Sequence, residues 1–267
     1  MIIVELPYVR WFEAIERRKS RRTFEQRQIE QADTKRLTEL CNIFRPYPDV
    51  RAVFCPDSPD EVYKGAIGQY GKIKGATAFI AFIGDKESKY VNERIGYLGE
   101  GIILEATSLG LDTCWVGGFF RPEVAEKLAG TRKGERVYAI TPVGYAKRDI
   151  PLEEKIMTGF GRTHRRKPLS DLVSGIDESK WPAWIRKSLD AARLAPSAVN
   201  RQPWRFEVAQ QSITVSVDSN KGNYGISKRL DCGIAMLHIE VSAIISGVAG
   251  KWDFLDPPQV ARFTVQG

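Results

Sequence analysis

Cysteine, histidine and methionine are scarce in this chain of 267 residues, at four, two and three. Cys41, Cys55, Cys114 and Cys232 form no Cys-x-x-Cys pair, and His164 and His238 complete no metal-ligand spacing with them. That excludes a zinc module and a disulfide framework, and predicts buried, reduced thiols. No long apolar run is uninterrupted. The most apolar stretch, 232–250, carries His238 and Glu240 and is broken by glycines and serines, which predicts a buried helix rather than a membrane span. No N-terminal segment pairs a basic stretch with an apolar run and a small-residue cleavage site. The expectation is therefore no secretory signal, no membrane association and a cytoplasmic location.

What remains is ordinary in bulk and unusual in placement. Hydrophobic residues make up 43% and charged residues 27%, as in soluble globular domains. The length suits one large domain or two small ones. The formal charge of +7 is local: Arg17, Arg18, Lys19, Arg21 and Arg22 form one cluster, and Arg162, Arg165, Arg166 and Lys167 another. Those clusters exceed the whole net excess, which points to a site for a small phosphate, with a solvated basic face as the alternative. Few aromatics are interleaved with them, so nucleic acid is not the expected partner.

Periodicity predicts helices over 8–19, 32–44 and 93–109 and strands over 51–55, 77–83 and 137–144. Asp33 or Thr34 is the expected cap of the second helix. Downstream the order recurs in shorter form: a helix over 184–194, strands over 204–209 and 213–217, and a long apolar helix opening at Leu230. Arg165-Arg166-Lys167-Pro168-Leu169 echoes residues 17–21, Pro196 matches Pro46, and Gly233 matches Gly101. We read a tandem duplication with halves at 1–160 and 161–267, the second having lost residues between its strands.

Three segments carry chemistry. Arg17-Arg18-Lys19-Ser20-Arg21-Arg22 places Arg18, Ser20 and Arg22 on one side of an extended strand, where arginine forks suit a phosphate. Ala195-Pro196-Ser197-Ala198-Val199-Asn200-Arg201-Gln202-Pro203-Trp204 has two prolines that restrict its backbone toward an extended form. Gly110-Leu111-Asp112-Thr113-Cys114-Trp115-Val116-Gly117-Gly118-Phe119 offers two glycines where a ligand can approach the backbone. Together these resemble the FMN-dependent nitroreductase family, whose subunits pair with flavin between them. In that family the Pro-Ser element soon follows the arginine element; here Ser20 and Pro196 lie far apart.

The resemblance implies an α+β fold, a single-chain pseudo-dimer with two central long helices flanked by mixed or antiparallel sheets. It implies one complete FMN site per chain, because Pro46-Tyr47-Pro48 stands in the first half where the second has Pro196-Ser197-Ala198. Arg18, Ser20 and Arg22 would hold the phosphate and ribityl chain, with Arg166 closing over the phosphate and Arg165 or His164 able to substitute. Pro196, Ser197, Ala198 and Asn200 would meet the isoalloxazine, with Gly117 and Gly118 beside flavin N5. Tyr63, Lys64 and Tyr70, in the loop 57–75, would shape the substrate pocket or belong to a surface loop. The implied activity is ping-pong electron transfer from NAD(P)H to a nitroaromatic, quinone or similar acceptor. The chain would be a monomer or a weak homodimer. Reductive dehalogenation, flavin binding without turnover, and a basic nucleic-acid module are the alternatives.

Overall fold

A computed structural model describes residues 6–64, 73–148, 165–219 and 225–266. The first half runs α1 (Tyr8–Arg17), α2 (Gln31–Ile43), β1 (Val50–Cys55), β2 (Ala78–Asp85), α3 (Val91–Ser108), β3 (Asp112–Thr113), α4 (Pro122–Ala129) and β4 (Glu135–Gly144). The second runs β5 (Val173–Gly175), α5 (Ala183–Arg193), β6 (Trp204–Ala209), β7 (Ser212–Val217), α6 (Lys228–Ile245), β8 (Gly250–Phe254) and β9 (Gln259–Val265). The expected α+β class is what the chain adopts.

The strands form two sheets, ordered β1-β2-β4-β3 and β5-β6-β7-β9-β8. All pairings are antiparallel except β5 with β6. Apart from the added β5, the two orders correspond strand for strand. The irregularities correspond as well. In the first sheet Phe82 faces Ala52 and Ala139, and the register shifts just after it. In the second, Val215 faces Phe206 and Ala261, with a shift in the same place. The hairpins differ: residues 56–77 join β1 to β2, whereas Gln210 and Gln211 alone join β6 to β7.

The all-apolar run of β2 works because both faces of the strand are covered. Ile80 and Phe82 enter the main core, while Phe79, Ala81 and Ile83 enter a smaller one shared with Val62, Phe120 and Ala125, as alternate residues of a strand must. The main core is continuous across both halves. At its centre α3 packs on α6, and both helices are buried over most of their length. Their crossing is close because Gly96 rests on the backbone of Leu230 and Gly233 on that of Glu93. This pairs Gly233 with Gly96 rather than with Gly101, which packs against Phe44 and Trp11.

Other boundaries also moved. Helix α1 stops at Arg17 rather than 19, since Arg18 takes extended torsions (φ −58°, ψ 124°) and Ser20 bridges to Thr113. Helix α2 starts at Gln31, with Glu30 at the cap position and no side-chain capping bond, so Asp33 serves in the first turn instead. The two basic segments are not equivalent: residues 20–24 run beside β3 and β4, whereas Arg165 and Lys167 lie along residues 200–202. All four cysteines are free and buried. Among the described residues no helix is long and apolar enough to cross a membrane.

Candidate functional site

The arginine element leaves α1 as an extended strand. Ser20 bridges to Thr113, Arg21 N–H donates to the Thr113 carbonyl at 2.9 Å, and Phe24 bridges to Ala146. Arg18 is buried, and its Nε stands 3.8 Å from Oε1 of Glu100, a wholly buried carboxylate on α3. The same carboxylate accepts from Trp115 Nε1 at 2.8 Å and faces His238 Nε2 at 3.0 Å. His238 Nδ1 lies 2.9 Å from the Ala191 carbonyl and therefore carries a proton, since a carbonyl only accepts. Arg21 takes the opposite side of the segment, lining a cleft of about 380 Å³ with Glu25, Arg27, Asp112, Tyr145 and Lys147. That cleft is separate from the Arg18 side. Ser20 and Arg22 are half-buried.

The Pro196–Trp204 segment is a knotted loop, not the extended run its prolines suggested. Val199, Asn200 and Gln202 all have positive φ (48°, 55° and 49°). For a β-branched residue such as Val199 this is a strained conformation. Hydrogen bonds hold it. Gln202 N–H donates to Ser197 Oγ at 2.9 Å, and Ala198 N–H to Asp231 Oδ1 at 3.1 Å. Arg201 Nε donates to Asp231 Oδ2 at 2.6 Å. Burial nevertheless pushes the Asp231 carboxyl up to about 6, with Arg201 opposing the shift. Gln202 is buried and Trp204 opens β6 in the core, so the end of the motif is structural.

The basic segment 165–167 lies on this loop. Asn200 Nδ2 and Gln202 Nε2 both donate to the Arg165 carbonyl, at 2.9 and 3.0 Å. Arg166 donates to Asn200 Oδ1 at 2.6 Å and to the Leu194 carbonyl at 3.1 Å. Both ends of the Asn200 amide are thus engaged in shaping the loop. The Arg165 side chain is exposed, and His164 lies outside the described residues. Burial, then the nearby charges of Arg18 and Arg193, bring Arg166 down to about 10. Arg166 thus feels two further guanidinium charges, that of Arg18 from the first half and that of Arg193 from the second. The Nε of each of the three is buried without a hydrogen-bond partner among the described residues. Such donors fit a ligand with several strong acceptor oxygens, which is what a flavin phosphate would present.

The glycine element meets the second half from below. Val116 pairs with Ile140, and the Trp115 ring lies on Gly99 and against Phe82 at 4.8 Å. A Cβ on Gly117 would stand 3.1 Å from Ile226, whose carbonyl accepts from Arg201 at 3.0 Å. Gly118 is exposed. The chain thus sets Arg166 on Asn200 within reach of the Arg18 charge, and brings Gly117 to Ile226, whose carbonyl Arg201 holds. Of the loop residues, Tyr63 is buried in the smaller core with its hydroxyl 2.7 Å from Ser58, and Lys64 is exposed. Tyr70 lies outside the described residues.

Sequence reasoning passed over Arg193, Glu100 and His238. Arg193 stands in the last turn of α5, where a cation is ordinary, and the signal that could have found it is its place two residues before Ala195-Pro196. Glu100 was visible as an acid inside an apolar helix.

The positions that correspond between α3 and α6 carry different side chains. Asp231, fourth in α6, pairs with Arg201; Arg94, fourth in α3, pairs with Asp49 at 2.9 Å, the charges reversed. Tyr90, just before α3, stacks on Phe254 at 5.3 Å. Tyr47 closes on Phe254 at 5.3 Å, and the Arg94 guanidinium covers the same ring at 4.6 Å.

None of the curated proteins matches the chain. A solved structure described as a putative nitroreductase from Thermotoga maritima is 20% identical, with a TM-score of 0.65 over 100% of this chain and 98% of that one. It shares the fold. A nitroreductase family protein from Clostridium difficile 630 is 21% identical, with a TM-score of 0.46 over 61% of this chain and 96% of its own. A nitroreductase with bound FMN from Bacteroides fragilis is 18% identical, with a TM-score of 0.43 over 53% and 91%. The family model described as "Putative TM nitroreductase" matches residues 10–243, and the chain belongs to that family.

Proposed function

We propose that the chain is an FMN-dependent oxidoreductase that passes electrons from NAD(P)H to a nitroaromatic, quinone or similar acceptor in a ping-pong cycle. The observation that carries this reading is that Arg166, fixed on Asn200 in the second half, feels the charge of Arg18 from the first, and that the Nε of each is buried with no hydrogen-bond partner among the described residues. Bound FMN would supply the hydride-accepting ring; the protein supplies binding, orientation and electrostatics. Arg18 and Arg166 hold the phosphate, with Ser20 and Arg22 along the ribityl chain. Pro196, Ser197 and Ala198 border the ring, and Asn200 fixes Arg166 and the loop. Gly117 and Gly118, with no Cβ, would let a flavin ring approach their backbone N–H groups, which would stabilise charge developing on it.

We read the halves, 1–160 and 161–267, as a duplication that lets one chain act as its own dimer. Matching strand orders, the matching bulges and the reciprocal glycine contacts support it. The boundary itself falls outside the described residues.

The test is anaerobic titration of the flavin-loaded protein with NADH and NADPH, then reoxidation with a nitroaromatic or a quinone. Bleaching and recovery of the flavin bands is expected. Bound flavin that neither nicotinamide reduces would leave a binding protein without turnover.

A further inference from the structure

We propose that Arg193 is the third arm of a phosphate clip, with Arg18 and Arg166, that spans the two halves and makes the site select the phosphorylated flavin. This rests on the FMN reading above and names the residue that sets its specificity.

Arg193 occupies the last turn of α5, whose following residues lead directly into Pro196. Arg166 donates to the carbonyl of Leu194, the next residue, which brings its guanidinium to the end of that helix. Arg18 approaches from the first half: its Nε is 3.8 Å from Glu100, which faces His238, whose Nδ1 lies 2.9 Å from the carbonyl of Ala191, two residues before Arg193 on α5. The fork of Arg166 is fixed by Asn200 on its other arm. Arg166 feels the like charges of Arg18 and Arg193, and among the described residues the carboxylate paired with any of the three is Glu100, which His238 and Trp115 share. The Nε of Arg193, like those of the other two, is buried with no partner among the described residues. A buried donor without an acceptor costs free energy, and a guanidinium offers its donors as a rigid fork. A dianion with three terminal oxygens removes both the repulsion and the unmet donors, whereas a neutral ribityl alcohol removes neither. The clip takes arms from both halves, so an anion bound there also ties the halves together.

The experiment uses the full-length protein freed of flavin. FMN and riboflavin are titrated against wild type, Arg193→Gln and Arg193→Lys, and thermal midpoints are recorded with and without inorganic phosphate. Arg193→Gln should weaken FMN roughly tenfold or more, the loss expected for one charge-assisted hydrogen bond, and leave riboflavin affinity unchanged. Arg193→Lys should recover part of the loss. Phosphate should raise the wild-type midpoint and raise that of Arg193→Gln less. Equal losses for FMN and riboflavin would overturn the assignment, because Arg193 would then shape the pocket rather than hold the phosphate. So would FMN affinity equal to wild type in Arg193→Gln. If wild type binds neither flavin, the FMN reading fails. The clip then stands only if phosphate stabilises wild type more than Arg193→Gln, and falls if it does not.

Discussion

Gly96 and Gly233 make the same contact in opposite directions. A Cβ on Gly96 would stand 2.0 Å from the Leu230 carbonyl oxygen, and one on Gly233 would stand 2.0 Å from the Glu93 carbonyl oxygen. Each helix therefore uses one glycine to seat the backbone of the other, and α3 and α6 cross as related copies. Glu93 and Arg229 brace the crossing with an ion pair at 2.6 Å.

Gly96→Ala and Gly233→Ala should accordingly cost similar amounts. Backbone atoms cannot step aside as a flexible side-chain tip can, so each methyl forces the helices apart. A loss of about 1–3 kcal/mol is expected for each, the range for overpacking. Denaturant unfolding of both variants measures it. A neutral result for either would mean that the helices do not cross as described.

Val199→Gly should leave the fold intact and stabilise it. The φ of 48° at Val199 costs a β-branched residue about 1–3 kcal/mol, whereas glycine adopts it freely and gives back about 0.5–1 kcal/mol in unfolded-chain entropy. A rise in the unfolding midpoint is the expected outcome, and a clear fall would contradict the loop geometry.

Asp231 gives the stability curve a defined pH dependence. Its folded carboxyl titrates near 6, above the ordinary value near 3.8, so between those values the folded state binds the extra proton. Stability from this group is fully present below the lower value and is lost as pH rises through the upper one. The slope is about 1.4 kcal/mol per pH unit at most. Asp231→Asn keeps an acceptor for Ala198 N–H, and the difference between its stability curve and that of wild type should be concentrated in that window. A difference independent of pH would contradict the buried carboxyl.

Much of this was legible in the sequence because it depends on local pattern. The unbroken apolar run of β2 marked a strand covered on both faces, and the glycine-flanked helices α3 and α6 announced their central packing. The arginine element drew attention to Arg18, which the fold buries against Glu100. Other features depend on tertiary contact. The Asn200 amide is spent on Arg165 and Arg166, which no spacing discloses. Glu100 gains its role only where Arg18, Trp115 and His238 meet. The short strands β3 and β5 exist because a neighbouring strand offers an edge, not because their own residues favour them. The helix match was misaligned because Gly101 and Gly233 look alike in sequence, whereas backbone contact singles out Gly96.

The aromatic cluster of Tyr47, Tyr90 and Phe254 under the Arg94 guanidinium is packed on itself, and one flavin per chain is the expected content. Replacing Tyr47 with alanine should loosen the packing and lower the thermal midpoint without reducing flavin content, because its ring packs on Tyr97, Phe254 and Arg94.

The most direct measurement is the flavin-to-protein ratio, read from the absorbance spectrum after the purified chain is loaded with excess FMN and desalted. The account predicts one FMN per chain, falling sharply in an Arg18→Ala, Arg22→Ala variant whose fold is retained. No retained flavin in wild type, or unchanged flavin in that variant, would contradict it.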